Sequence, residues 1–413
     1  MNLRGQELSE WGIIETEETK SLLIDKRVIV RPVFNIPIEL LRYNILNGRI
    51  FTEVNSLRSN DEIDFDSLSL EESNNNIENL IWDTDPAKNK STMSSIEDYG
   101  QLEAGVILVN GTVIDGNRRF TCLRRLNRSN PDDEKYSYFR AVILDPEQEE
   151  ISDTEIRKFE LSVQFGQEEK VDYNPLNKAL SIYFDITNKA IKTKEMAEIL
   201  GESVNVINNR IETVKVLYDY LNFMRSNDDF EIAKRLKVYY ALEPLASYVK
   251  KKRKSLSEEE LEKRKRIYFS YLTFVKLELP TQDLRNKLIK KVFSSPKFYE
   301  EFEAEFSNKY AEIVYENTKA LENLDLEEKL QFISDFKSSD NSQKISRLLT
   351  DVVNRIDIED NLIAPIETLQ KVISYLKNID IRIYEEIGKS DILREIHQLL
   401  DEVIEISENL RDQ

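Results

Sequence analysis

The stretch Val106-Ile107-Leu108-Val109-Asn110-Gly111-Thr112-Val113-Ile114-Asp115-Gly116-Asn117-Arg118-Arg119-Phe120-Thr121-Cys122-Leu123-Arg124-Arg125-Leu126 decides the fold of the first part of the chain. Two β-branched runs, 106–109 and 112–114, flank Asn110-Gly111, the strongest short-range signal for a β-hairpin. After Gly116 the apolar residues Phe120, Leu123 and Leu126 recur every three residues, which is typical of a helix. The sequence therefore predicts that residues 115–119 lie where a buried strand turns into a helix.

This junction has the features of an anion-binding site. A helix N-terminus offers unpaired N–H groups and the positive end of the helix dipole. Gly116 lets the backbone approach a phosphate closely, and Arg118 and Arg119 can add charge-assisted hydrogen bonds. Two arginines in the first turn oppose the helix dipole, and this local cost favours an anionic partner. The alternative, a strand–turn–helix whose arginines are solvated, stays open at this point.

Three pieces of sequence, 94–102, 106–110 and 115–119, resemble the N-terminal domain of the ParB/sulfiredoxin superfamily. In ParB-like proteins a helix leads through two strands to a G-x-R-R box that binds a nucleotide. The resemblance implies that Gly116, Asn117, Arg118 and Arg119 hold a nucleoside triphosphate, CTP or ATP, with Mg²⁺ reaching the site only through the nucleotide. Sulfiredoxin activity is not expected, because Asn117 stands where sulfiredoxins carry their catalytic cysteine and the only cysteine, Cys122, lies a turn inside the helix.

A second ParB-like segment follows the predicted helix 154–165. Where the family has an ENxxR box, this chain has Gly166, Gln167 and Lys170, and Lys170 can still meet a phosphate as a point charge. The missing carboxylate leaves hydrolysis open, with Asp115, Glu168 and Glu169 as the candidate catalytic residues of a weak NTPase. Residues 172–179 resemble the start of the next family helix, with Asn174 as N-cap and Pro175 as the first helical residue.

The third signal is a predicted helix-turn-helix. Thr193 is expected to cap a short helix, Gly201 makes the turn, and Ser203 caps a longer helix that runs to Leu217. The outer face of that second helix defines the candidate DNA-binding residues, which are Ser203, Asn205, Asn208, Asn209 and Lys215. Asparagine side chains suit adenine edges in a major groove. A helical hairpin without a DNA role is the alternative, and the face is poor in Arg and Lys.

Composition limits the classes of protein to consider. The chain has 413 residues and a formal net charge of −19, so DNA contact would need local basic patches. One cysteine and one histidine, His397, exclude zinc sites built on His and Cys. No stretch is long and apolar enough for a membrane span and no secretory signal is visible, so a cytoplasmic location is expected.

The rest of the chain is predicted mainly from periodicity. We expect an edge strand at 28–34, because Pro32 interrupts it, and a solvated acidic insertion with at most a short helix at about 51–80. Everything after Asn227 is predicted to be helical, with basic runs at 250–254 and 263–266 that either track phosphates or are solvated. A heptad seam ends the chain and is expected to pack on the helix at 366–376; its residues are Ile392, Ile396, Leu399, Val403, Ile406 and Leu410.

The predicted fold class is an α+β ParB/sulfiredoxin-like domain followed by an all-α helix-turn-helix and a helical C-terminal domain. The expected boundaries are an N-terminal extension at 1–25, a nucleotide-binding domain at 26–147, a helix-turn-helix domain at 148–225 and a helical domain at 226–413. The resemblance implies a nucleotide-controlled DNA-binding switch, with DNA as partner and a homodimer formed under nucleotide control. The alternatives are an ATPase, kinase or nuclease of the same superfamily, or an anti-phage defence component that uses the fold for partner binding.

Overall fold

The computed structural model describes residues 8–45, 47–59, 63–65, 67–165, 174–188, 190–380 and 390–411. Within these residues, six strands form one mixed sheet in the order β1-β2-β6-β4-β5-β3. The strands are β1 (Ile14–Ile24), β2 (Arg27–Pro37), β3 (Arg42–Tyr43), β4 (Gly105–Leu108), β5 (Thr112–Asp115) and β6 (Tyr138–Leu144). The strand pairs β4–β6 and β3–β5 are parallel, and the others are antiparallel.

The predicted hairpin forms two adjacent inner strands of this sheet. Strands β4 and β5 pair around a turn in which Gly111 has a φ of 84°, a conformation that favours glycine. A Cβ on Gly111 would also come within 2.5 Å of the Leu40 carbonyl oxygen. The side chains of Val106, Ile107 and Val113 are fully buried, which explains why both runs are apolar and β-branched.

The prediction of an edge strand at 28–34 was wrong. Residues 14–24, inside the segment assigned to the N-terminal extension, form strand β1, so β2 lies between β1 and β6. Pro32 is accommodated because its partner in β1 is Thr19, next to a register irregularity between Glu15 and Thr19. A proline that cannot donate to the ladder is tolerated beside such a bulge.

Helices cover the remaining described chain. In the first half they are α1 (Phe51–Ser59), α2 (Leu70–Thr84), α3 (Pro86–Tyr99), α4 (Asn117–Ser129), α5 (Asp153–Phe165), α6 (Pro175–Thr187), α7 (Thr193–Leu200) and α8 (Val204–Phe223). They continue as α9 (Phe230–Arg235), α10 (Tyr239–Lys252), α11 (Glu258–Phe274), α12 (Pro280–Asp283), a π-helix (Leu284–Val292), α13 (Pro296–Lys309), α14 (Ala311–Ala320), α15 (Leu326–Lys337), α16 (Asp340–Lys377) and α17 (Ser390–Arg411). The predicted fold class, an α+β part followed by helices, is confirmed.

The acidic segment is not the solvated insertion that the sequence predicted. It forms α1 and α2, and α2 starts with a capping box between Ser69 and Glu72. Its Glu78 is only 1% exposed and forms ion pairs with Arg124, Arg125 and Arg128 of α4. Two acids of this segment, Glu71 and Glu78, are therefore the partners of the α4 arginines.

The chain divides into two units, 1–349 and 350–413. The predicted domain boundaries at 25, 147 and 225 all fall inside the first unit and stay predictions. No helix in the described part of the chain is long and apolar enough to cross a membrane.

In the second unit the predicted seam of α17 is largely uncovered. Ile392, Leu399, Ile406 and Leu410 are exposed, and so are Ile366 and Leu369 of α16. The prediction that the seam is buried against 366–376 was wrong. The half-buried stripe of α17 consists of Leu393, Ile396, Leu400 and Val403. The covered face of the helix is therefore rotated by about one residue from the predicted seam.

Candidate functional site: a cavity at the strand–helix junction

Gly116 forms the predicted junction between β5 and α4. It is the N-cap of α4 with a φ of 98°, and no side chain caps the helix. A Cβ at this position would lie 2.8 Å from Cζ of Phe139, so both the backbone conformation and the space require glycine. The first turn of α4 carries no acidic residue, and the carboxylate of Asp115, just before the N-cap, pairs with Lys20 and Arg119.

A cavity of about 630 Å³ opens at this junction. This volume lies in the range typical of small-molecule sites. The polar residues that line the cavity include Glu18, Lys20, Asn47, Arg49, Glu103, Gln164 and the run from Asp115 to Arg119. The junction that the sequence singled out therefore faces a space that a ligand of nucleotide size can enter.

Arg119 lies at the mouth of the cavity and is held by acids. Its Nη1 donates to the Glu103 carboxylate at 2.9 Å and to the Glu103 carbonyl at 3.0 Å, while its Nη2 lies 3.4 Å from Oδ2 of Asp115. Lys20 of β1 reaches the same Asp115 oxygen at 3.3 Å. Asp115, a candidate catalytic base, is thus shared between two cations.

Arg118 occupies the adjoining part of the cavity wall. The pKa of Asp85, the N-cap of α3, is lowered first by a backbone hydrogen bond from Lys88 and further by the charges of Lys88 and Arg118. The guanidinium of Arg118 therefore acts electrostatically on the start of α3. It also lines the space in front of the α4 N-terminus, where an anionic ligand would lie.

Asn117 presents an unsatisfied polar atom at the site. Its side chain is buried, and Nδ2 donates to the Val113 carbonyl at 3.2 Å. Its Oδ1 is buried without a hydrogen-bond partner among the described residues. A buried acceptor of this kind is costly when it is left unpaired, so the residue is suited to accept a hydrogen bond from a ligand.

The opposite wall comes from a loop and from α5. Asn47 accepts a hydrogen bond from the Arg49 N–H at 3.0 Å, and Gln164 accepts one from the Gly48 N–H at 3.4 Å. Behind Gln164 stands Glu160, which is 3% exposed and is contacted by Arg157 and Asn44. Burial raises the pKa of Glu160, although Arg157 opposes the shift. The wall is therefore anchored in a buried polar network.

Cys122 has no part in the cavity. It is buried one turn inside α4, and its Sγ donates to the Asn89 carbonyl at 3.4 Å. Burial raises the pKa of the thiol to about 12, so it stays protonated and unreactive at neutral pH.

The structure brings Asp115, Gly116, Asn117, Arg118 and Arg119 to one cavity, as the sequence analysis grouped them. Lys170, Glu168 and Glu169 lie outside the described residues. Sequence reasoning missed Lys20, because it lies in a strand assigned to the extension, and it assigned no role to Arg49. The sequence shows that both residues are basic. Only the position of β1 in the sheet and the path of the β3–α1 loop bring Lys20 and Arg49 to the junction.

The predicted pair of helices is also present. Helices α7 and α8 are joined through Gly201 with a φ of 64°, and Ser203 caps α8 by accepting the Val206 N–H. Lys192, and not Thr193, is the N-cap of α7.

The candidate DNA-contacting residues differ in their exposure and in their partners within the protein. Asn205 is exposed and Asn208 is half-buried. Oδ1 of Asn209 accepts a hydrogen bond from Lys250 at 3.0 Å, and Lys215 lies 2.8 Å from Glu212. Three of the five candidate side chains, Ser203, Asn209 and Lys215, are therefore already engaged within the protein.

Comparison with protein-family models and with curated proteins finds no match. Among the matching solved structures is the C-terminally truncated chromosome-partitioning protein ParB from Caulobacter crescentus complexed with CTP-γ-S, at 13% identity and a TM-score of 0.19, covering 52% of this chain and 92% of that chain. The same protein complexed to the centromeric parS site matches at 14% identity and a TM-score of 0.27, covering 55% of this chain and 96% of that chain. Both matched chains are ParB proteins, the family whose motifs the sequence resembles. At these identities and TM-scores the likeness concerns the fold alone and says nothing of ligands.

Proposed function

We propose that the chain binds a nucleoside triphosphate in the junction cavity. The observation that carries this proposal is the uncapped N-terminus of α4, which opens into the cavity together with Gly116, Arg118 and Arg119. Backbone N–H groups of the first helical turn receive phosphate oxygens, and the arginines neutralise the remaining charge. Lys20 and Arg49 add positive charge on the surrounding walls.

Different residues of the cavity contact different parts of the nucleotide. The glycine turn and the two arginines hold the triphosphate, with any Mg²⁺ entering on the nucleotide itself. The unpaired Oδ1 of Asn117 accepts a hydrogen bond from a ribose hydroxyl or a base amino group. Lys170 is included in the proposed site because the sequence around it resembles the second ParB motif. Calorimetry with each triphosphate distinguishes CTP from ATP as the ligand.

The proposal extends to DNA. Helix α8 presents Asn205 at its exposed N-terminal turn, with Asn209 one turn further along the same helix, an arrangement that fits base edges in a major groove. Nucleotide binding in the cavity then acts as a switch on DNA association between two protomers. Hydrolysis is not required for this role, and Oδ2 of Asp115 is engaged by Lys20 and Arg119.

Thermal unfolding with each of CTP, ATP, GTP and UTP tests the nucleotide site. A ligand that binds only the folded protein stabilises it by about 2.7 kcal/mol at a hundred times its Kd. One triphosphate should raise the melting temperature in the wild type, and the same nucleotide should have little effect on the double variant Arg118→Ala/Arg119→Ala. The variant Arg225→Ala, which lies outside the cavity, is the control that should respond like the wild type. Equal melting curves with all four triphosphates would contradict the proposal.

A further inference from the structure

A second cavity, of about 590 Å³, lies between α10 and the π-helix. We call it the basic cleft. The lining residues are Tyr240, Glu243, Pro244, Ser247, Tyr248, Lys251, Lys252, Thr281, Arg285, Ile289, Lys290 and Ser294. The sequence shows a basic run at 250–254, but nothing in it indicates that Arg285 and Lys290 stand opposite that run.

The charge of the basic cleft is strongly positive. Lys251, Lys252, Arg285 and Lys290 line it, and Glu243 is the only carboxylate in the lining. Burial raises the pKa of Glu243, although the charge of Arg210 opposes the shift. In the described part of the chain none of the four cations forms an ion pair, whereas the neighbouring Lys287 pairs with Asp283 at 2.8 Å. Four like charges gathered without a carboxylate partner repel one another, and an external polyanion would relieve that repulsion.

The walls of the basic cleft are held in place by buried aromatic contacts. The Tyr248 hydroxyl donates to the Phe293 carbonyl at 3.4 Å, and the two rings lie 5.5 Å apart between centroids. The apolar side of the π-helix is buried through Leu284, Leu288 and Val292. The cations therefore project from two elements whose relative position is fixed by the core.

The basic cleft is continuous with the outer face of α8. Lys250, the residue before Lys251, donates to Asn209 of α8 at 3.0 Å. Arg253, at the end of the same basic run, pairs with Glu212 of α8 at 3.2 Å. The end of α10 thus touches the face proposed to read DNA and at the same time forms one wall of the cleft.

We propose that the basic cleft binds the sugar–phosphate backbone of the DNA duplex whose base edges face α8. This inference rests on the proposed DNA association, and it names the surface that supplies the phosphate contacts. The α10 wall runs from Tyr240 to Lys252, which is about 18 Å at the helical rise of ~1.5 Å per residue. Along a duplex axis this length corresponds to about five phosphates of one strand at ~3.4 Å each.

Charge balance explains why such a surface is needed. The chain has a formal net charge of −19, so most of its surface repels DNA. Helix α8 carries few cations on its outer face, and Lys215 is paired with Glu212. Without a separate cationic surface, the duplex would have no contacts to hold it in register against α8.

The test measures the salt dependence of binding to a fluorescent random-sequence duplex several helical turns long. The test variant combines Lys251→Gln, Lys252→Gln, Arg285→Gln and Lys290→Gln. The matched control removes the same charge elsewhere through Lys263→Gln, Lys309→Gln, Lys319→Gln and Lys344→Gln, none of which lines the cleft. Each neutralised phosphate contributes a slope of about −0.9 in a plot of log K against log salt. The cleft variant should therefore lose about 3–4 units of slope, and the control should keep the wild-type slope.

The outcomes separate this inference from the proposed function. DNA binding by the wild type with an equal slope in the cleft variant overturns the cleft as a phosphate surface and leaves DNA association standing. The inference is also overturned if the cleft variant loses binding to single-stranded RNA but keeps its binding to duplex DNA. Absence of duplex binding by the wild type, with and without triphosphate, overturns both. Unchanged thermal unfolding of the cleft variant confirms that the measured loss is a loss of contacts.

Discussion

The arginines in the second half of α4 and the cations of the basic cleft are two dense groups of positive charge that serve opposite purposes. Along α4, Arg124, Arg125 and Arg128 all pair with carboxylates, and Arg124 is buried beside Glu78. In the cleft, Lys251, Lys252, Arg285 and Lys290 line an open space with Glu243 as the only acid. A run of basic residues in a sequence therefore does not by itself mark a binding surface. What distinguishes the two regions is whether the protein supplies the counter-charge.

The largest effect is expected at the centre of the paired region. Glu78→Ala leaves Arg124 buried without its closest acid, and breaking one side of a buried ion pair costs about 3–5 kcal/mol. Urea unfolding should show this loss in the unfolding free energy. The matched control is Glu71→Ala, which removes an exposed partner of the same arginine and should cost at most about 1 kcal/mol. Similar small losses in both variants would show that the α4 network is not structural.

A second comparison separates the junction from an ordinary helix end. Gly116 and Gly100 both have positive φ values, 98° and 76°, but a Cβ would clash only at Gly116. Gly100→Ala should lose about 1 kcal/mol through backbone strain alone, and Gly116→Ala should lose more, about 2–3 kcal/mol. Thermal and urea unfolding measure both. Equal losses would mean that Phe139 moves aside and that the junction is not tightly packed.

Features set by local sequence signals could be predicted, whereas contacts between distant parts of the chain could not. The β4–β5 hairpin and the start of α4 were predicted correctly because their signals, Asn110-Gly111 and the spacing after Gly116, are local. The partner of Arg124 was not, because Glu78 lies 46 residues earlier in a segment whose acids and asparagines suggested a solvated insertion. The basic cleft was missed for the same reason, since Lys251 and Arg285 are brought together only by the packing of α10 on the π-helix.

The smallest expected effect concerns a paired acid, Glu202, in the turn before α8. Burial raises the pKa of Glu202, but Arg210 and Lys178 outweigh it and hold the pKa below its ordinary value. Because the folded pKa is the lower one, the stabilisation is present above the unfolded value, about 4.3, and is lost as pH falls through the folded pKa. The stability difference between wild type and Glu202→Gln, up to about 1 kcal/mol at neutral pH, should therefore shrink in acid.

The control for this pH dependence is Glu198→Gln. Glu198 is exposed on the neighbouring helix α7. Its substitution should give a stability difference that barely changes between pH 7 and pH 4. If the difference for Glu202→Gln were just as flat, the interaction with Arg210 would not depend on the charge of the carboxylate.

The central claim is that the α4 junction binds a nucleoside triphosphate, and isothermal calorimetry with CTP, ATP, GTP and UTP tests it most directly. Titrations of the wild type, Arg118→Ala, Arg119→Ala and the single variant Lys251→Gln, which lies in the basic cleft, should be compared. We expect one preferred triphosphate to bind the wild type and Lys251→Gln equally, and to bind each arginine variant about 1.5–3 kcal/mol more weakly, the range for hydrogen bonds to charged groups. Absence of heat with all four triphosphates, or full affinity in both arginine variants, would contradict the claim.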